Sequence, residues 1–515
     1  MPAVVPARRA RHEVTRGCAI SVLFRSPAGP RARSHWLVWL LTVGLCFSAS
    51  AAACAGTPGS DPAAGVARSG TPTEPDHAST RGAAQARVPV KRFVTRVSRN
   101  GRYFVDQRGR PILIKGDSPW ALLVNASRSR MDSYLSIRAR QGFNTVLVSL
   151  LGNTANGGPA DSGATYDGVR PFVAGNPARL NDRYWDRVDH FMRKAASLNI
   201  SVMAYPLDGW AGTDAYNGLG KEWGTTTARR YGVAVGRRMD RHPNVFWAVG
   251  GDYFIDGPED PRFSAVLAGI ASVTRRDRPS TIQFQPQDTS LDSRYWARRV
   301  RFNFVYSYAV TYAMVQRAYR QTTPGGRHIP ALMGETHYED YPDVTNRYLR
   351  SMAAWALTSG SPGEFYGSER VWDRSPTNAA LTSPGARQVS AIRRVFARLP
   401  GWHRLRPDFS SSFITAGRGT RGSARNEYLP GDRGGTYVTG ARTTDGKLAV
   451  IYLPDARRPI TIAQSKMGPG YTARWVNPVN GKSVATRARA RYSRTVPHGD
   501  RANDWLLVLR STRAR

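Results

Sequence analysis

The sequence predicts a (β/α)8 barrel followed by a small antiparallel β-sandwich. Three observations lead there. Eight short, nearly all-apolar stretches alternate with amphipathic ones over residues 92–402, as expected of parallel strands buried beneath helices. Acids and aromatics recur just after the apolar stretches, where a barrel carries its reactive groups. Beyond Pro400 the pattern changes to period-two alternation with Asp-Gly and Asn-Gly turns.

The 515-residue chain does not open on the barrel. Arg8, Arg9, Arg11, Arg16, Arg25, Arg31 and Arg33 precede "WLVWLLTVGLCFSASAAACAG". A basic flank, an apolar core and a small-residue end make residues 1–54 an export signal. "AAAC" also fits a lipoprotein processing site that would leave Cys54 lipidated, and the apolar run approaches the length of a retained signal anchor. Plain secretion, lipidation and anchoring all place the protein outside the cell or at its surface. Residues 55–91 are Gly, Pro, Ser, Thr and Ala with few large apolar side chains; they cannot offset their ordering entropy and read as a tether.

The expected strands are "PILIKGDS" (111–118), "NTVLVSLL" (144–151), "ISVMAYPL" (200–207) and "NVFWAVGG" (244–251). "STIQFQP" (280–286), "FNFVYSY" (302–308), "PALMGET" (330–336) and "GEFYGSE" (363–369) complete the eight. Helical patterns fall at 131–142, 183–199, 226–242, 262–277 and 345–360. Units five and six are the weakest, and the helix after "STIQFQP" shrinks to "SRYWARR". Residues 403–515 form the β-sandwich, with hairpin turns at "DGK" and "NGK".

The formal net charge is +37, or +31 once the seven arginines and one glutamate of residues 1–54 are removed. Such a balance raises nucleic acid as a partner. Only seven of the 74 basic residues are lysine, and the arginines are spread along the chain without a basic, aromatic-interleaved stripe. The reading is therefore a solvated basic surface and no nucleic-acid partner. All three cysteines, Cys18, Cys46 and Cys54, lie in the leader, which removes disulfides, thiolate metal sites and cysteine nucleophiles from the folded part. No His-x-His or His-Glu-x-x-His is present, so His242 and the histidine of "GETH" are read as surface or supporting residues. No metal and no cofactor are expected.

The strand ends present Asp117, Asp208 and Trp210, Asp252, Tyr306 and Tyr308, Glu335, and Tyr366 with Glu369. Aromatic faces with carboxylates and few cations describe a sugar site. Asp252 follows Gly250-Gly251 and Glu335 follows Gly334; each glycine removes a side chain that would crowd a ligand. Glycoside cleavage needs two carboxylates, one to protonate the leaving oxygen and one to stabilise or attack the anomeric carbon. Strands four and seven face each other across a barrel mouth, so this pair is the candidate. Asp117 either caps the following turn or binds a substrate hydroxyl. The Gly- and Asn-rich loop 152–168 covers the mouth as a lid or subsite wall.

"PILIKGDSPWALL", "RARQGFNTVLVSLLGN", "HPNVFWAVGGDYF", "FNFVYSY", "PALMGETHYED" and "EFYGSERVW" resemble, in order, motifs of the apiosidase-like glycoside hydrolases (family 140 and relatives). The C-terminal "GKLAVIYLPDARRPITI" and "DWLLVL" are similar to the β domain, often labelled collagen-binding, that accompanies that barrel. The resemblance implies a retaining mechanism with Asp252 as acid/base and Glu335 as nucleophile. It also implies that Asp117 and Trp120 line the pocket and that Tyr338 and Glu339 flank the nucleophile. The implied substrate is a pectin-type oligosaccharide containing apiose. The sequence departs from the family at "GETHYE", where relatives commonly carry proline, and in loop 152–168. The expectation is thus an exported retaining glycosidase acting on an oligo- or polysaccharide, touching membrane only through Cys54 or an uncleaved signal. A carbohydrate-binding surface protein without catalysis is the alternative.

Overall fold

The computed structural model describes residues 91–424, 435–498 and 502–515. The leader (1–54) and the tether (55–91) fall, apart from Lys91, outside the described residues.

Eight parallel strands form one sheet. They are β1 (Ile114–Asp117), β2 (Thr145–Ser149), β3 (Ser201–Tyr205), β4 (Val245–Tyr253), β5 (Ser280–Phe284), β6 (Asn303–Tyr306), β7 (Ala331–Glu335) and β8 (Gly363–Tyr366). The order is β5-β4-β3-β2-β1-β8-β7-β6. Every residue of β2 and β3 is buried, which is why these stretches read as unbroken apolar runs rather than alternating ones. Strand β1 begins later than "PILIKGDS" suggests: Pro111–Ile112 belongs to a separate three-stranded antiparallel meander ahead of the barrel. Val94, Phe104 and Ile112 of that segment pack into the core cluster of Leu147, Met203, Phe246 and Phe302, so the meander plugs the floor.

Helices α1 (Arg128–Gln141), α2 (Asp182–Ser197), α3 (Thr225–Met239) and α4 (Asp260–Ala271) cover the first four units. Helices α5 (Thr311–Arg320), α6 (Asn346–Thr358) and α7 (Pro384–Arg398) cover the last three. After β5 there are only two single turns, Ser290–Asp292 and Trp296–Arg298. The barrel closes at that weak unit. Arg301 N–H donates to the Ser280 carbonyl at 2.8 Å. The Ser290 hydroxyl bridges the seam, donating to the Ile282 carbonyl at 2.6 Å and accepting from Phe304 N–H at 2.9 Å. A side chain stands in for ladder bonds the short strands lack.

Beyond the barrel lie β9 (Arg406–Pro407), β10 (Ile414–Ala416), β11 (Thr439–Arg442), β12 (Leu448–Leu453) and β13 (Ile460–Ile462). They are followed by β14 (Thr472–Val476), β15 (Ser483–Thr486), β16 (Arg491–Tyr492) and β17 (Trp505–Arg510). Six make an antiparallel sheet in the order β9-β11-β12-β17-β14-β15, and β10-β13-β16 make a second. The Asp-Gly and Asn-Gly turns join β11 to β12 and β14 to β15, with Gly446 and Gly481 at φ 66° and 77°. Strand β12, "LAVIYL", is apolar throughout instead of alternating because both faces are covered. Ala449, Ile451 and Leu453 face the small sheet's cluster, while Leu448, Val450 and Tyr452 pack with Tyr348, Met352 and Trp355 of α6. Arg350 of α6 makes a buried two-bond pair with Asp504 at 2.7 and 2.9 Å, and His498 reaches the same carboxylate at 3.0 Å. Among the described residues no helix is long and apolar enough to cross a membrane.

Candidate active site

Strand β4 delivers its carboxylate through a break in its own pairing. Trp247 to Gly250 pair in step with Ser280 to Gln283, but the next partner of Phe284 is Tyr253, so Gly251 and Asp252 are extra. A bulge of this kind bends the strand and re-aims a side chain. Gly250, Gly251 and Asp252 have φ of 75°, 121° and 48°, a run costly to residues with a Cβ. A Cβ on Gly250 would lie 2.3 Å from the Gln283 carbonyl oxygen, and one on Gly251 3.2 Å from the Trp210 ring. A Cβ on Gly334 would lie 2.2 Å from the Phe304 ring. The expectation that these glycines make room for substrate is therefore corrected: the space is taken by the bulge, by Trp210 and by the barrel's own core.

Glu335 ends β7 and is 7% exposed. Gln283 Nε2 donates to its Oε2 at 2.6 Å, and Tyr205 Oη holds Gln283 by donating to its Oε1 at 2.7 Å. Tyr338 donates a further hydrogen bond to Glu335 and accepts one from Trp120 Nε1 at 3.0 Å. Asp252 receives a hydrogen bond from Tyr306, while its Oδ1 is buried with no partner among the described residues. Burial raises the pKa of Asp252; burial and then the charge of Asp252 raise that of Glu335. Two buried carboxylates within reach of each other's charge titrate as a pair.

Aromatic rings enclose the pair. Trp120 meets Trp210 edge-on at 5.0 Å and Tyr205 at 4.7 Å. Tyr306 meets Tyr308 at 5.3 Å, and Tyr308 stacks on His337 at 4.3 Å and 13°. Burial pulls the His337 pKa down to about 4, so the ring is neutral. Tyr216 lies near enough for Asp252 to raise its pKa, after burial. Trp372 packs on Tyr338 at 6.4 Å and donates to Glu369 at 3.2 Å. Glu369, raised by burial, acts electrostatically on Glu335. Such walls offer flat apolar faces beside two proton-transfer groups.

The structure thus gathers Trp120, Trp210, Tyr306, Tyr308 and Tyr338 around Asp252 and Glu335. The other four candidates are held by internal partners. Asp117 is fully buried against α1, bonded by Tyr134 and, at 2.6 Å, by Arg138. Asp208 accepts Ala211 N–H at 2.8 Å as the cap of a single turn, and takes Ser149 and Asn156 on its other oxygen. Glu339 accepts Ser383 at 2.6 Å and Gly385 N–H at 2.9 Å at the start of α7, with Tyr366 as a third donor. These buried carboxylates satisfy internal donors behind the pocket wall. Loop 152–168 is tied down by hydrogen bonds: Asn153 caps the turn Thr154–Asn156 and donates to the Tyr216 carbonyl at 3.1 Å.

Tyr205, Tyr216, Gln283, His337 and Trp372 were not expected in the site. Tyr205 and Gln283 stand at strand ends like the residues that were, in "MAYPL" and "IQFQP". A scan for every polar strand-end residue, amides included, would have found them. Among the described residues no three His, Cys, Asp or Glu side chains converge as a metal site.

Comparison with known proteins gives a family and a fold. The family described as "Apiosidase-like, catalytic domain" matches residues 98–403. Among curated proteins, none matches. One similar solved structure, described as a glycoside hydrolase, is 20% identical, with a TM-score of 0.68 over 82% of this chain and 97% of its own. Another, described as a family 5 glycoside hydrolase from Bacteroides vulgatus, is 21% identical, with a TM-score of 0.65 over 81% of this chain and 94% of its own.

Proposed function

We propose that this chain, which belongs to the apiosidase-like family of glycoside hydrolases, cleaves its glycosidic bond with retention of configuration, using Glu335 as nucleophile and Asp252 as acid/base. The supporting observation is the asymmetry of donors around a pair that titrates together. Glu335 accepts from Gln283 and Tyr338, charge-assisted bonds that favour its anion. Among the described residues Asp252 accepts from Tyr306 alone and leaves Oδ1 unpartnered, which favours the proton there. Burial is deeper at Glu335 and pulls the other way; a sugar with partial positive charge at its anomeric carbon reinforces the donors. In the first step a Glu335 oxygen bonds to the anomeric carbon as the Asp252 proton passes to the leaving oxygen. In the second, Asp252 takes a proton from water, whose oxygen displaces Glu335 and releases the sugar.

The substrate in this reading is a pectin-type plant cell-wall oligosaccharide containing apiose. Aromatic faces on two sides of the pair suit a compact ring, and the neutral His337 adds no charge to the wall. The leader sequence supports export, with or without a lipid on Cys54.

The test is hydrolysis of apiose-containing pectin oligosaccharides followed by NMR of the first-formed sugar. Retention is expected, with Asp252→Asn and Glu335→Gln each losing about 10³-fold or more in kcat. An inverted product, or near-normal turnover in either variant, overturns the assignment. Calorimetric binding with no sugar released by the parent protein would favour the carbohydrate-binding reading. Mass spectrometry of the mature N-terminus from cells and medium decides between lipidation and secretion.

A further inference from the structure

The missing helix after β5 leaves the outer layer open. Between α4, the turn at Trp296 and the N-terminal ends of β4 and β5 lies a cavity of about 680 Å³. Its floor is apolar, formed by Trp247, Leu267, Ile270 and Trp296, and its rim carries Arg275, Arg276, Arg278, Arg299 and Arg301 against one acid, Asp277. Trp247 precedes Asp252 by five residues on one strand, at the opposite end from the catalytic pair and at most about 16 Å from it along the chain.

Most of these arginines have ordinary reasons to be there. Arg276 donates to the Asp240 carbonyl at 2.9 Å, and Arg275 reaches the Asp240 carboxylate at 4.0 Å. Both follow the C-terminus of α4, whose partial negative charge they offset. Arg299 lies over the Tyr295 ring at 3.7 Å. Arg301 meets Asp277 at 3.4 Å with both side chains more than half exposed, a contact of little energy in water. Arg278 differs. It is 9% exposed, lines the cavity, and no acceptor among the described residues bonds its guanidinium. Its guanidinium faces the cavity rather than a protein acceptor, with Asp240 acting on it only electrostatically, so a bound anion would give it a charge-assisted partner.

We propose that this cavity is an oxyanion-binding site, with Arg278 as its inner anchor and Arg299 and Arg301 at its mouth. A planar guanidinium pairs through two bonds with either a carboxylate or a phosphate, so an acidic sugar and a phosphate group share the chemistry required. Burial, and then Arg276, hold the Arg278 pKa down to about 10; it remains charged at neutral pH, and an anion would restore it toward its ordinary value. The site is independent of the proposed reaction.

Calorimetry on the full chain at low salt, with digalacturonate and separately with inorganic phosphate, tests this. One saturable site is expected for at least one anion, weakened about tenfold or more by Arg278→Gln. Arg301→Gln should weaken it several-fold, while substitution of the exposed Arg99 by Gln should leave it unchanged. Digalacturonate alone binding assigns an acidic glycan; phosphate alone assigns a phosphorylated or free anion. No saturable heat with either up to about 10 mM, or equal loss in the Arg99 variant, overturns the proposal. Should Arg278→Gln fail to fold by thermal melt, Arg301→Gln decides, and its hydrolytic rate should remain at the parent level.

Discussion

Gln283 at the end of β5 donates to Glu335 at the end of β7 across 2.6 Å, and Tyr205 of β3 fixes the amide from behind. Three strands thereby set the position and charge of one carboxylate. Removing the donor in Gln283→Leu destabilises the Glu335 anion, so its pKa rises. The acidic limb of kcat/KM should shift to higher pH, with kcat lower by about 10- to 100-fold. An unchanged limb would remove Gln283 from this role.

Tyr306 acts on the other partner. Its hydrogen bond lowers the pKa of Asp252 against burial, so Tyr306→Phe should keep Asp252 protonated to higher pH. The basic limb should then move upward while the acidic limb stays. Which limb moves in each variant shows which of the two carboxylates ionises first.

Tyr338 links Trp120 to Glu335. Tyr338→Phe should lower kcat/KM about tenfold and Trp120→Phe somewhat less. The double variant should cost less than the two losses combined, because both break one relay. Additive losses would show that the residues act separately.

Gly334 faces the Phe304 ring, where a Cβ would lie at 2.2 Å. Gly334→Ala should destabilise by about 1–3 kcal/mol through overpacking. Adding Phe304→Leu should recover part of the lost melting temperature. If Gly334 instead served substrate access, the alanine would raise KM and leave stability unchanged.

Asp504 is pushed up by burial but pulled down further by Arg350 and His498, to about 2. Its contribution to stability is full above the unfolded carboxylate value and is lost as pH falls toward 2. His498 is lowered by burial but raised on balance by Asp504, so its contribution is full below its unfolded value and fades as pH rises through its folded one. Asp504→Asn should cost about 3–5 kcal/mol at neutral pH by stranding Arg350, and should flatten the acid limb of a melting-temperature profile.

The barrel was legible because strands buried on both faces leave apolar runs, and because β4 and β7 end in acids beside glycines. The reason for those glycines was not, since Phe304 and Trp210 become neighbours only after folding. Asp117, Asp208, Glu339 and Tyr366 look from sequence like site residues. Their partners, among them Arg138, Ser149 and Ser383, sit on other elements, and strand-end position alone does not reveal which way a side chain faces. The bulge at Gly251 and Asp252 shows as no more than a turn-like Gly-Gly-Asp.

The six-stranded sheet shares α6 with the barrel: Tyr348, Met352 and Trp355 pack under β12, and Arg350 finds its counter-ion there. The same helix touches the catalytic rim, because Tyr348 reaches His337 at 3.2 Å, two residues beyond Glu335. A protein cut short after residue 402 would therefore expose a greasy helix flank and take the counter-ion from Arg350, two residues along α6 from the tyrosine that reaches the Glu335 loop. The sheet behaves as a wall of the enzyme, not as a passenger that could be swapped for another module.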